Sequence, residues 1–198
     1  MESNEFLNFV DCVLEEWTGK AYSFDGIEQY ATEFPSKSVI VDIFPSIIAD
    51  VDKYYQVSVF YRKWVDGEIS KTTFLRHENN YVNFVKELWL YNTVDICYDL
   101  SFSNYFKKGE KRLKLFSKGK STKAVKRDVK DWNTIEEVVR LALREAGFLW
   151  MYCKQLEMVV VVCDFSIQLL TKEEQSIQTI CPTVVGNSLF MRPINKMD

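Results

Sequence analysis

The densest chemistry in this sequence is a run of positive charge. Residues 107–130 hold eleven lysines and arginines against two acids, a local +9; the chain total is −3, so the remainder carries −12. Lys107, Lys108, Lys111, Arg112, Lys114, Lys118, Lys120, Lys123, Lys126 and Arg127 form a candidate polyanion-binding set. Each such side chain that neutralises a phosphate releases a counterion, the main driving term of non-specific nucleic-acid binding. Tyr105, Phe106 and Phe116 lie among them and offer stacking surfaces for unpaired bases. The same residues also fit a solvated hairpin and loop beside an acidic body.

Catalytic chemistry finds less support. Gly119-Lys120-Ser121-Thr122 ends like a phosphate-cradling loop, but that motif needs a glycine five residues earlier, where Lys114 stands. Asp42, Asp95, Asp99 and Asp164 interrupt apolar, strand-like runs. Asp95 and Asp99 are four apart and share a strand face. With Asp128-Val129-Lys130 they suggest a metal-dependent nuclease, in which two carboxylates and a lysine hold magnesium and polarise a water. That triplet falls in the basic stretch rather than on a strand, so these acids are expected at strand ends or facing solvent. His77 is the single histidine and reads as a surface group in a turn. Cys12, Cys97, Cys153, Cys163 and Cys181 lack the spacing of a disulfide framework or a zinc site and read as reduced, mostly buried thiols. No catalytic residue, metal or cofactor is expected.

A last candidate is aromatic. Tyr54, Phe60, Arg62 and Trp64 lie in an alternating stretch, 54–65, that runs into Asp66-Gly67. An open face of this composition would bind protein, because Trp, Tyr and Arg dominate interface hot spots. A helix laid over it would make it core.

The elements that must position these residues follow from periodicity. Phe6, Phe9, Val10, Val13, Leu14 and Trp17 form one helical stripe over 4–17, stopped at Gly19. A short helix is expected at 26–33 and a strand over 39–44. Residues 54–65 and 69–76 read as a hairpin about Asp66-Gly67. A helix follows at 81–91, then a second hairpin, 93–106 with 111–116. A long helix is expected over 135–154, with Thr134 and Glu137 as its capping box. Met158–Cys163 has no alternation and reads as a central strand buried on both faces. The tail 171–198 reads as irregular, with one strand near 188–192.

The implied fold is a single α+β domain spanning 1–198. Its largely antiparallel sheet is built from two hairpins plus the central strand and covered by three main helices, in two layers. Hydrophobic residues make up 47% of the chain, enough for a sizeable core. No apolar run approaches the length of a membrane span, and the acidic opening Met1-Glu2-Ser3-Asn4-Glu5 lacks a signal peptide's basic and apolar regions. The expected location is cytoplasmic, without membrane association.

In general character, a small acidic domain rich in aromatics and lacking a catalytic set, the chain resembles bacterial immunity proteins. The likeness is one of composition. It implies a non-enzymatic binding protein that occludes a basic partner protein through aromatic anchors, with the −12 body speeding encounter. Nucleic-acid binding through 107–130 and metal-dependent nuclease activity are the alternatives.

Overall fold

The computed structural model describes residues 4–22, 26–99, 123–126 and 131–194. Seven strands form one sheet: β1 (Ser38–Asp42), β2 (Val94–Asp99), β3 (Lys123–Lys126), β4 (Phe148–Cys153), β5 (Met158–Cys163), β6 (Ser166–Thr171) and β7 (Phe190–Pro193). Their order is β3-β2-β4-β5-β6-β1-β7, and each described pairing is antiparallel. Met158–Cys163 therefore lies at the centre, with all six residues buried, as its unbroken apolar run predicts.

Helices cover both faces, making three layers instead of the expected two. On one face lie α1 (Asn4–Thr18) and α2 (Gly26–Glu33), as the stripe and the short-helix reading predict. Val10 and Leu14 are buried there with Tyr22, Tyr30, Val159, Val161 and Leu170, and Val13 and Trp17 pack alongside. The side chains of Phe6 and Phe9 lie outside the described set. Gly19 ends α1 at φ +67°, the left-handed conformation that favours glycine. Tyr30 ties α2 to the sheet, its hydroxyl donating to the Thr171 carbonyl at 2.6 Å.

The opposite face holds the larger core. It is covered by α5 (Lys71–Tyr91), α6 (Trp132–Leu143) and α7 (Glu174–Gly186), with two short helices, α3 (Val51–Val57) and α4 (Tyr61–Val65), before them. Alternation along β4 divides the layers: Leu149, Met151 and Cys153 enter this core, while Trp150 and Tyr152 face α1 and α2.

Four expectations are corrected. The hairpin over 54–76 does not form. Asp66-Gly67 closes a helix: Asp66 caps α4, and Gly67 follows at φ +80°, the usual conformation just past a helix end. Ser70 then starts α5 by accepting the Thr73 amide on its side chain, so the helix begins ten residues before the expected 81. Second, the return strand pairing with β2 is Lys123–Lys126, with Asp99 opposite Lys123; the expected strand 111–116 lies outside the described residues. Third, the helix expected over 135–154 is capped by Asp131, not Thr134, and ends at Leu143. Glu145 adopts φ +61°, and the chain re-enters the sheet as β4. Fourth, part of the tail read as irregular forms α7, which runs through Pro182, while the strand expected near 188–192 is present as β7.

The β5–β6 connection is a two-residue turn, Asp164-Phe165, with φ +45° and +60°. Phenylalanine rarely adopts this conformation. Its ring is buried 5.1 Å from Phe74 and 5.3 Å from Tyr81, and that packing offsets the backbone strain.

Candidate functional site

The proposed protein-binding residues fall on a surface built by α3, α4 and the turn between them. Helices of seven and five residues are too short to hold themselves and depend on packing. Asp50 caps α3 by accepting the Lys53 amide. α3 has no buried residue, and its Val51, Tyr55 and Val57 are 54%, 60% and 51% exposed. Val65, at the end of α4, is also exposed. Single exposed apolar side chains are ordinary on a surface; here four occur within fifteen residues, three of them on a helix that buries nothing.

Tyr54 stands on α3, Phe60 caps the start of α4, and Arg62 and Trp64 lie on α4, so none is on a strand face. Tyr54 is half-buried and meets Phe60 edge-on at 5.7 Å and Phe44 at 6.1 Å. Burial, then the Asp42 carboxylate, raises the Tyr54 hydroxyl above its ordinary value. The Arg62 side chain is 85% exposed and pairs loosely with Asp66. Trp64 is half-buried and stacks on Phe74 at 5.2 Å. The set is thus neither open nor covered: Arg62 faces solvent, and Tyr54, Phe60 and Trp64 are each half-buried.

Beneath Trp64 lies a charged network that local sequence patterns did not reveal. Glu78, fully buried on α5, accepts Arg144 Nε on Oε1 at 2.5 Å and Arg144 Nη2 on Oε2 at 2.8 Å. Arg140 Nη1 donates to the same Oε2 at 2.7 Å. Arg140 also pairs with Glu136, which accepts the Trp132 indole N–H at 2.9 Å. The Arg144 guanidinium lies 5.8 Å from the Tyr61 and Trp64 ring centres and 5.9 Å from that of Phe74. The network is an internal support, with its charges directed at one another.

The other candidates are dispersed. Of the basic set, Lys123 and Lys126 stand on β3, an edge of the sheet. Lys107, Lys108, Lys111, Arg112, Lys114, Lys118, Lys120 and Arg127 lie outside the described residues, as do Asp128 and Lys130. Asp95 pairs with Lys154 at 3.0 Å, and Asp99 is four residues along β2. Asp42 stands at the end of β1, as expected, but it is buried there as a structural acid. It accepts both Arg192 Nε and Nη2 on Oδ2, fastening β7 to β1. Asp164 is exposed at its turn, and partial desolvation there raises its carboxyl. Burial, the Asp164 charge next, also raises Glu145, against the opposing pull of Arg62. No group of three or more metal-ligating side chains occurs among the described residues.

His77 is corrected from a turn to α5, where it is half-buried. Its Nδ1 has no hydrogen-bond partner among the described residues, and burial, with Arg76 beside it, lowers its pKa. None of the five cysteines is in a disulfide; Cys97, Cys153 and Cys163 are buried, Cys181 is half-buried and Cys12 is exposed. No helix among the described residues is long and apolar enough to cross a membrane.

Compared with known protein families, with curated proteins and with solved structures, the chain matches none.

Proposed function

We propose that this chain is a non-enzymatic, cytoplasmic binding protein, inhibitor- or immunity-like in action, that occludes a basic partner protein through the α3–α4 surface. One observation carries the reading: α3 buries none of its seven residues yet holds three large apolar side chains in solvent. Isolated folding would not select that arrangement, whereas an interface core surrounded by polar residues would. Trp64 and Phe60 supply rigid aromatic area, and Arg62, exposed and only loosely paired with Asp66, can reach across. The −12 carried outside 107–130 favours a basic partner and speeds encounter.

The test is affinity capture from source lysate with the wild-type chain and a Tyr55→Asp/Val57→Asp variant of unchanged melting temperature. The wild type should retain one basic protein in stoichiometric amount. The variant should bind it at least roughly thirty-fold more weakly, the scale of a ~2 kcal/mol hot spot. Equal retention by both chains, or none by either, refutes the reading.

A second reading is favoured by the position of β3. Among the described residues Lys123–Lys126 is the outermost strand on its side of the sheet, so the two described lysines of the basic set stand at a sheet end rather than at its centre. A mobility-shift titration of single-stranded nucleic acid at ~50 and ~200 mM salt tests it. Steep weakening with salt supports phosphate binding, and absence of binding at the lower salt removes it.

A further inference from the structure

We infer that residues 50–69 open as a unit of their own, and that Arg144 is the latch that keeps them closed. The segment contributes no strand to the sheet. Its backbone hydrogen bonds close locally: Tyr54 N to Asp50 O, Ser58 N to Tyr54 O, Asp66 N to Arg62 O and Ile69 N to Lys63 O. Its buried residues are Ser58, Val59 and Tyr61, with Phe60, Trp64 and Ile69 only partly buried against the core. Few buried apolar contacts and locally closed hydrogen bonds mark the segments that open at the lowest free energy.

What holds the unit down is concentrated in one place. Tyr61 and Trp64 meet Phe74 at 5.8 and 5.2 Å, and all three rings surround the Arg144 guanidinium. A guanidinium over aromatic faces is attracted by their quadrupoles, more strongly when desolvated. Glu78 fixes its plane through two parallel N–H···O bonds, so the rings close onto a charge that is already oriented. Opening would uncover Phe74, which is otherwise fully buried, beside that fixed positive charge.

Native-state hydrogen exchange, read by mass spectrometry across sub-denaturing guanidinium chloride, tests both parts on the chain alone. The outcome is therefore separate from that of partner capture. Amides in 54–69 should exchange at least about a hundredfold faster than those of β5, with weak denaturant dependence. Trp64→Leu should speed them by about thirtyfold, the scale of one desolvated cation–π contact. Val159→Ala, on the opposite sheet face, should speed β5 amides and leave 54–69 unchanged. Arg144→Ala should accelerate 54–69 at least as much as Trp64→Leu; if it does not fold, Trp64→Leu reads the same contact from the other side. Overturning results are exchange of 54–69 in parallel with β5 in the Val159→Ala chain, or unchanged exchange of 54–69 in either latch variant.

Discussion

Glu78→Ala is the substitution expected to damage this fold most for its size. It removes a carboxylate with no solvent exposure that accepts three charge-assisted hydrogen bonds. Two guanidinium groups, 21% and 17% exposed, are left facing one another. Removing one partner of a buried ion pair costs about 3–5 kcal/mol, chiefly because the other charge stays buried and unpaired. Arg140 keeps Glu136, which places the expected loss toward ~3 kcal/mol. For a chain of this length that lowers the melting temperature by roughly 6–12 °C. The apolar triple Glu78→Leu/Arg140→Leu/Arg144→Met should recover much of it, since packed hydrophobic groups replace buried ion networks at little net cost. Chemical denaturation followed by circular dichroism measures all three chains, with an unchanged m-value as the two-state control. A loss below ~1 kcal/mol for Glu78→Ala, or a triple variant no more stable than the single, would refute the argument.

Two further outcomes are open to direct measurement. Burial pushes the Cys153 and Cys163 thiols up to about 12, so at pH 8 a thiol reagent should find one fast site, and Cys12→Ser should abolish that phase. The folded-state carboxyls of Glu145 and Asp164 are raised, so the stability they contribute is present below their unfolded values and is lost as pH rises through the folded ones. Glu145→Gln should therefore raise the neutral-pH melting temperature by about 1–2 °C, the scale of ~0.5 kcal/mol for a half-exposed charge. The gain should vanish below the usual glutamate range, and a gain that grows with acid would contradict the sign.

Where the sequence was legible, one periodicity dominated and nothing distant competed with it. The stripe from Val10 to Trp17 and the unbroken run Met158–Cys163 are such cases. Residues 71–91 show the opposite. Phe74, Tyr81, Val85 and Leu88 continue one buried helical face, but Glu78 sits in its middle and breaks the apolar pattern. The arginines that neutralise it are 62 and 66 residues away, beyond any local window. Residues 54–65 alternate as a strand would, yet α4 presents Tyr61 and Trp64 to Phe74 and Arg144, and that tertiary packing overrides the local signal. Phe148, Trp150 and Tyr152 likewise alternate, but they follow so closely on the α6 stripe that the helix reading ran over them. Pro182 obscured α7, because proline is disfavoured in a helix interior. Of the candidate site, Tyr54, Phe60, Arg62 and Trp64 were legible as composition. Their arrangement depended on Gly67 stopping a helix where a hairpin was expected.

The contiguity of β4, β5 and β6 has a consequence for how the chain avoids aggregation. Met158-Val159-Val160-Val161-Val162-Cys163 is six residues of high β-propensity with no charge and no proline, the kind of segment that zips with copies of itself. Both of its partners flank it in the chain, β4 ending at Cys153 and β6 beginning at Ser166. Short loop closures cost the least entropy and form early, so each side of the valine strand can be occupied by its own neighbours before the distant β1 and β7 arrive. The topology thus hides its stickiest segment by local pairing, and among the described residues the two outermost strands, β3 and β7, are only four residues long.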